Sequence, residues 1–171
     1  MRNILRHIFV LATLLLATSC IWEERHTGEE TSKILEGDLA PDFTVDTIDG
    51  ERVTLSDFRG EPMLLVLFDC GCPDCEMLLD DLLHQTAAMS SAPRILAVGR
   101  DSDEATVRAY RDEHGYPFMM AADADRKVYN HYATSFVPRA YLLDADGLVA
   151  MMTIEYQPYF VEGLLMRYES L

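Results

Sequence analysis

The chain contains 171 residues, of which 49% are hydrophobic and 25% are charged, so it has the size and composition of one globular domain and not of a disordered chain. With 14 Lys and Arg against 29 Asp and Glu, its formal net charge is −15, and no cluster of Lys and Arg is present. A nucleic-acid binder needs such a cluster to neutralise phosphates, so we expect no nucleic-acid partner.

The first twenty residues have the pattern of an export signal. Two arginines precede an apolar run over residues 8–17, which is shorter than the ~20 residues that a membrane-spanning helix needs. The run ends in small residues and Cys20, an ending similar to a bacterial lipobox, in which the signal is cleaved before a cysteine that carries lipid. We therefore expect residues 1–19 to be a signal peptide and Cys20 to be a lipid anchor in the membrane. An ordinary signal peptide and an uncleaved anchor are the alternatives.

The rest of the chain divides into a short polar segment and a domain. Residues 21–36 are polar and acidic and show little periodicity, so residues 20–36 are predicted to be a lipid-anchored tether. From Gly37 onward the apolar pattern is dense and no linker interrupts it, which predicts one domain over residues 37–171. The protein would be an exported lipoprotein that faces the periplasm or another extracytoplasmic space, and we expect a monomer.

Turn signals and apolar periodicity predict the elements of this domain. In chain order we expect a hairpin (43–47 and 52–55), a short turn or helical piece (56–60), a buried strand (62–68), a helix (73–89), a second buried strand (94–98), a helix (103–114), a short strand (116–121), a short helix (125–132), a second hairpin (140–143 and 148–154) and a closing helix (158–168). Alternating strands and helices predict a three-layer α/β/α domain with helices on both faces of the sheet. Asp146-Gly147 is a hairpin turn signal that adds antiparallel pairing, so the central sheet should be mixed.

Three cysteines lie within six residues, at the point where a buried strand is followed by a helix. Free N–H groups and the helix macrodipole at that point stabilise a thiolate on the first cysteine of the Cys72-Pro-Asp-Cys75 motif. Cys75 shares a helical stripe with Leu78 and Leu79, so it should face the core, whereas Cys72 precedes the stripe and should be exposed. Disulfide exchange needs this pairing of one exposed, ionised thiol with one shielded thiol. Carboxylates at Asp74 and Glu76 oppose ionisation of Cys72 and partly offset the dipole.

Two separated motifs carry a resemblance to a known family. Gly37-Asp38-x-Ala40-Pro41-x-Phe43, the strand at 64–68 and Cys72-Pro73-Asp74-Cys75 are followed by Val137-Pro138-Arg139-Ala140-Tyr141. Together they resemble the thioredoxin-like TlpA/ResA proteins, exported and membrane-anchored thiol-disulfide oxidoreductases allied to the redoxin (AhpC/TSA) superfamily. The resemblance runs over residues 37–168 and implies a thioredoxin-like fold with an N-terminal β-hairpin extension.

The resemblance also implies roles for individual residues. Cys72 would be the attacking thiol, Cys75 the resolving thiol, and Pro138 a cis-proline that faces them. Val137, Pro73 and Asp74 would bind the substrate, with the Val137 backbone pairing with an extended partner. The implied partners are thiols and disulfides of exported proteins and an electron donor in the membrane, with the chain acting as a reductant in the maintenance of redox balance.

The pattern departs from the family near the thiols. Gly71 stands where the family usually has Trp, and Val66 stands where thioredoxins carry a buried Asp that handles the proton of the second cysteine. Cys70 is an additional thiol, for which packing and an auxiliary redox role have equal weight. These departures concern the redox properties and the substrate more than the fold.

Three other interpretations of the cysteines are open. They could simply pack in the core, or they could bind Cu(I) or Zn²⁺ as soft ligands, although no fourth ligand follows at a usual spacing. A peroxiredoxin-like thiol peroxidase is the third, but such enzymes need Thr or Ser three residues before the reactive cysteine, where Asp69 would repel the developing anion. No glycine-rich nucleotide fingerprint occurs, so we expect no organic cofactor, and we assign no metal ligand.

Overall fold

The computed structural model describes residues 28–171, so the predicted signal peptide (1–19), Cys20 and the first part of the tether lie outside the described residues. The strands are β1 (Thr44–Asp46), β2 (Arg52–Thr54), β3 (Met63–Phe68), β4 (Arg94–Arg100), β5 (Met119–Asp123), β6 (Arg139–Leu143) and β7 (Val149–Ile154). The α-helices are α1 (Pro73–Ala87), α2 (Glu104–His114), α3 (Tyr129–Tyr132) and α4 (Phe160–Glu169), and short 3₁₀ turns cover Gly28–Thr31 and Leu55–Phe58.

A mixed five-stranded sheet with the order β5-β4-β3-β6-β7 forms the centre of the domain. Strand β3 is parallel to β4 and antiparallel to β6, and β6 is antiparallel to β7. The predicted mixed sheet is therefore confirmed. The predicted N-terminal hairpin is confirmed too, since β1 and β2 form a separate antiparallel pair, in which Val45 is opposite Val53. Each of the two β-hairpins turns at an Asp-Gly pair, and Gly50 and Gly147 have φ values of 84° and 85°, which a glycine adopts without steric cost.

The sheet separates two apolar cores. All six residues of β3 are buried, because this central strand is covered on both faces. On one face, helices α1, α2 and α4 contribute side chains such as Leu78, Val107 and Leu164. On the other face the cover is the hairpin segment and the short helix α3, with side chains such as Phe43 and Tyr132. Both faces carry helices as predicted, but the three long helices all lie on one face.

One predicted strand is displaced along the chain, and one predicted helix is shorter than expected. The strand expected at 116–121 runs over Met119–Asp123, because Pro117 has no N–H to donate to a ladder and pairing with β4 begins at Met119. The helix expected at 125–132 is regular only over Tyr129–Tyr132. Ahead of it Arg126 has a φ of 57°, and the buried Asp123 carboxylate accepts the N–H groups of residues 128 and 129. In a longer helix, carbonyl groups of the preceding turn would accept these N–H groups. Here the Asp123 carboxylate accepts them instead.

The described part of the predicted tether contacts the domain. Ser32 forms a β-bridge with Ala133, and the Lys33 N–H donates to the Tyr132 carbonyl oxygen at 2.9 Å. The Gly37 N–H donates to Val149 of β7 at 2.9 Å. The polar segment binds backbone groups of the domain from Thr31 onward. Contacts with the domain therefore begin six residues before Gly37, where the sequence predicts the domain to start. Within residues 28–171, no helix is long and apolar enough to cross a membrane.

Candidate active site

Cys72 lies at the junction of β3 and α1. Strand β3 ends at Phe68, a three-residue loop follows, and Cys72 is the N-cap of α1 with Pro73 in the first turn. The Cys72 carbonyl oxygen accepts the N–H groups of Cys75 and Glu76 at 3.0 and 3.2 Å, so the backbone already starts the helix at this residue. Proline is favoured at such a position, because its ring presets φ and the first turn needs no N–H donor. The sequence Cys-Pro at the end of a buried strand thus places the first thiol at the N-terminus of the helix.

Cys75 is fully buried one helical turn after Cys72, as its place on the apolar stripe predicts. Burial raises the pKa of its thiol far above the ordinary range, and a hydrogen bond with the Cys72 side chain raises the same pKa further. Cys75 therefore remains protonated at neutral pH in the reduced protein. Cys72 is only half-buried, so the two cysteines of the motif differ in accessibility.

The loop before β6 lies opposite Cys72. The Val137–Pro138 peptide bond is cis, as the resemblance implies. The Cys72 thiol points at the Val137 carbonyl oxygen with a sulfur–oxygen distance of 3.8 Å, which makes a weak S–H···O contact. Val137 and Asp74 are half-buried and Pro73 is exposed, so the residues expected to bind substrate surround the accessible thiol on the helix side and the loop side.

Cys70 precedes the motif and is half-buried against the same core as the other two thiols. Burial raises the pKa of Cys70, the nearby Asp69 carboxylate raises it too, and a hydrogen bond with Ser102 lowers it. The net result is a thiol that ionises less readily than a free cysteine. A raised pKa makes Cys70 a poorer nucleophile at neutral pH, and it does not separate packing from an auxiliary redox role.

Asp69 shapes the loop that leads into the motif. Its carboxylate accepts the Gly71 N–H at 2.8 Å and lies 3.8 Å from Nε of Arg100. The side chain therefore stabilises a local turn directly before Cys72. This is also the position in which a peroxiredoxin needs a hydroxyl group, and here the residue is Asp69, whose side chain offers none.

Two residues that the sequence analysis did not single out hold the Val137 loop. The Tyr129 hydroxyl donates to the Phe136 carbonyl oxygen at 2.8 Å. Arg139, the first residue of β6, is fully buried and also donates to the Phe136 carbonyl oxygen, at 3.2 Å. The available signal was the basic residue itself, since Arg139 directly follows Pro138 and begins an otherwise apolar strand.

The alternative of a soft-metal site has no geometric support in the described region. Among residues 28–171, no group of three or more His, Cys, Asp or Glu side chains is arranged to hold a metal ion. His84 and His131 are exposed on helices α1 and α3, away from the three thiols in the sequence.

Comparisons with known proteins place these features in context. A model described as the AhpC/TSA family matches residues 37–152. Thiol-disulfide oxidoreductase ResA of Bacillus subtilis is 27% identical over 150 residues, which cover 84% of this chain and 83% of that protein. A putative protein disulfide isomerase from Bacteroides thetaiotaomicron has a similar solution structure, with a TM-score of 0.70, 24% identity and coverage of 81% of this chain and 91% of that one. A putative thiol:disulfide interchange protein DsbE from Chlorobium tepidum gives a TM-score of 0.69 at 22% identity, over 80% of this chain and 97% of that one.

Proposed function

The chain belongs to the AhpC/TSA family and is a thiol-disulfide oxidoreductase, and we propose that Cys72 and Cys75 carry out its reaction on protein disulfides. The observation that carries the proposal is the pairing of a half-buried thiol at the N-terminus of α1 with a fully buried thiol one turn later. The Val137 carbonyl oxygen, 3.8 Å from the sulfur of Cys72, supports the proposal because it offers a backbone acceptor beside the reacting atom.

The reaction transfers two electrons from the dithiol to a partner disulfide. The Cys72 thiolate attacks one sulfur of the partner, the partner's S–S bond breaks, and the second partner sulfur leaves as a thiolate. The product of this step is a mixed disulfide between Cys72 and the partner. Cys75 then attacks the sulfur of Cys72, which releases the partner sulfur bound to Cys72 as a thiolate and forms the Cys72–Cys75 disulfide. An electron donor must reduce that disulfide before the next cycle.

The burial of Cys75 fits the resolving role. A thiol that stays protonated does not compete with Cys72 for partner disulfides, so within the Cys72–Cys75 pair the first step has one nucleophile. In the second step Cys75 must lose its proton. The partner thiolate released in the first step is a base that accepts this proton while the partner is still bound as the mixed disulfide. Since Val66 occupies the strand position of the buried acid of thioredoxins, this chain has no carboxylate at that position to accept the proton.

Substitution of the two cysteines tests the assignment. We expect Cys72→Ala to lose insulin-disulfide reduction by more than about a hundredfold, because the remaining thiols have raised pKa values. We expect Cys75→Ala to accumulate a mixed disulfide with insulin through Cys72, visible on a non-reducing gel and located by mass spectrometry. Cys70→Ala is the matched control, and it should keep reduction within about threefold of the unsubstituted chain. Full activity of Cys72→Ala would refute the assignment.

We further propose that the enzyme is exported and held at a membrane through lipid on Cys20. The support is the arginine-containing start, the short apolar run and the small residues before Cys20. Because acyl chains contribute ~0.8 kcal/mol per buried CH₂ group, several chains hold a protein firmly. We expect Cys20→Ala to abolish labelling of the protein by a radioactive fatty acid. Labelling that persists in this variant would contradict lipid attachment at Cys20.

The physiological partners are then proteins of the extracytoplasmic space, and the electrons come from a membrane donor. Cys75→Ala, expressed in the native host, should retain such partners as mixed disulfides, since the step that releases them is absent. The same variant with Cys72→Ala added is the control for adducts at other thiols. Partners that appear only with Cys72 intact are substrates. If every adduct persists in the double variant, Cys72 does not bind them.

A further inference from the structure

Arg139 is fully buried directly behind the loop that faces the thiols. Its guanidinium donates to the Ser135 carbonyl oxygen at 2.8 Å and to the Phe136 carbonyl oxygen at 3.2 Å. A buried guanidinium is costly unless hydrogen bonds satisfy it, so these contacts are strong determinants of how the loop lies. Both carbonyl groups belong to the residues immediately before Val137. We name residues 135–137 the partner loop.

The same guanidinium also contacts two residues near the start of the described chain, Thr31 and Ser32, which we name the N-terminal strap. The hydroxyl groups of Thr31 and Ser32 both accept from Arg139, the latter at 2.7 Å. The strap is also fixed through its backbone, since the Thr31 carbonyl oxygen accepts the Thr134 N–H at 2.9 Å and Ser32 pairs with Ala133. A chain of contacts thus runs from the strap through one side chain to the partner loop.

The partner loop has a conformation that needs support. Phe136 has a φ of 68°, in the left-handed region that a bulky residue rarely adopts. Its carbonyl oxygen accepts both the Tyr129 hydroxyl and the Arg139 guanidinium, and the next carbonyl oxygen, of Val137, lies 3.8 Å from the sulfur of Cys72. Contacts that hold Phe136 therefore also set where the Val137 carbonyl group lies beside the reactive thiol.

We propose that Arg139 and the N-terminal strap are the positioning elements of the partner loop, and that they set the affinity of the site for partner proteins. The inference rests on the proposed function, in which Val137 pairs with an extended segment of the partner. A loop that already has its binding conformation loses less conformational entropy when the partner binds, so the affinity for the partner is higher. The strap acts through Arg139 on binding and takes no part in the transfer of electrons between sulfurs.

The test separates binding from chemistry in the full-length chain. Thr31→Ala combined with Ser32→Ala removes both hydroxyl acceptors from Arg139 and leaves the three cysteines in place. We expect KM for insulin reduction to rise about fivefold to tenfold, the upper figure corresponding to about 1.4 kcal/mol, while kcat changes by less than about twofold. Ser32→Ala alone is the milder variant and should raise KM about twofold to threefold.

Two further variants show whether the hydroxyl groups themselves are responsible. Thr31→Ser combined with Ser32→Thr keeps both hydroxyls and should restore KM to within about twofold of the unsubstituted chain. Lys33→Ala changes the residue next to the strap: it removes a side-chain hydrogen bond to the Asn130 carbonyl oxygen and does not touch Arg139, so KM should stay unchanged. An alanine variant that is folded by circular dichroism and has an unaltered KM overturns the proposal. So does a hydroxyl-retaining variant as defective as the alanine variant.

Failure of this inference and failure of the proposed function give different results. If Cys72→Ala reduces insulin at the full rate, the proposed function is wrong and the KM values have no bearing on a Cys72 site. If Cys72→Ala is inactive and the strap variants have the KM of the unsubstituted chain, the thiol assignment stands and the positioning role of Arg139 is wrong.

Discussion

Cys75→Ala should change the stability of the reduced protein in opposite directions at pH 7 and at pH 10. At pH 7 the substitution removes a fully buried sulfur and leaves a small cavity, which costs about 1 kcal/mol of the free energy of unfolding. At that pH Cys75 is protonated in both the folded and the unfolded chain, so ionisation adds nothing. The alanine variant should therefore be the less stable protein.

Above pH 9 the sign reverses. The folded pKa of Cys75 is raised far above its unfolded value of about 8.5, mainly by burial, so the stability that this thiol contributes is present below the unfolded pKa and is lost as the pH rises above it. At pH 10 ionisation of the unfolded thiol removes about 2 kcal/mol from the unsubstituted chain. Alanine does not ionise, so Cys75→Ala should then be the more stable protein by about 1 kcal/mol, and the two stabilities should be equal near pH 9.

Urea unfolding of both proteins at pH 7, 8, 9 and 10, with a reductant present, measures this difference. Other groups that titrate in this range, such as the buried tyrosines, are present in both proteins, so the difference reports on Cys75 together with the groups that interact with it, Cys72 and Tyr110. Val66→Ala is the matched control, because it empties space in the same core at a residue that does not ionise. Its deficit should be the same at every pH. A pH-independent deficit for Cys75→Ala as well would refute the reasoning, because Cys75 would then ionise equally in both states.

The remaining predictions concern the loop before the motif and the helix α2. Asp69→Ala should alter the rate of Cys72 alkylation by iodoacetamide, because it removes the acceptor of the Gly71 N–H at 2.8 Å, whereas Asp69→Asn keeps an acceptor and should have the smaller effect on the turn. Gly99→Ala should lower the free energy of unfolding by about 1–3 kcal/mol in urea, since the new Cβ would lie 2.9 Å from Cγ2 of Val107. Asp103→Ala should lower the free energy of unfolding in the same assay, because the Asp103 carboxylate caps α2 at the Thr106 N–H.

Much of the fold was predictable because it depends on neighbours in the sequence. The apolar run at 62–68 predicted a strand covered on both faces, and Met63–Phe68 is buried throughout. Helix α2 runs over Glu104–His114, close to the predicted range of 103–114, with Asp103 as its N-cap and Gly115 at a φ of 70° directly after its end. The displaced strand β5 and the shortened helix α3 depend instead on Pro117 and on the buried Asp123 carboxylate, which compete with regular pairing.

The same distinction holds for the site. The pairing of an accessible thiol with a buried thiol follows from a motif of four residues, and the burial of Cys75 follows from its place on the helix. Side chains that bind across the fold were not predictable in this way. Asp80 and Asp81 lie on α1, and the helical pattern gives no sign that they accept the hydroxyl groups of Tyr116 and Tyr156, which they do at 2.8 and 2.5 Å. Such partners are fixed by the packing of α1 against distant segments.

The N-terminal strap shows why polar composition alone does not indicate a free tether. Polar residues gain little from an apolar core, but they bind backbone and guanidinium groups that a loop leaves without sheet partners. Thr31 and Ser32 meet this need at Arg139, about a hundred residues away in the chain. The matched part of the AhpC/TSA family begins at Gly37, so Arg139 lies inside the family region and its strap lies outside it. Affinity for partner proteins in this chain would therefore depend on a segment beyond the family region, whereas the thiol chemistry depends on residues within it.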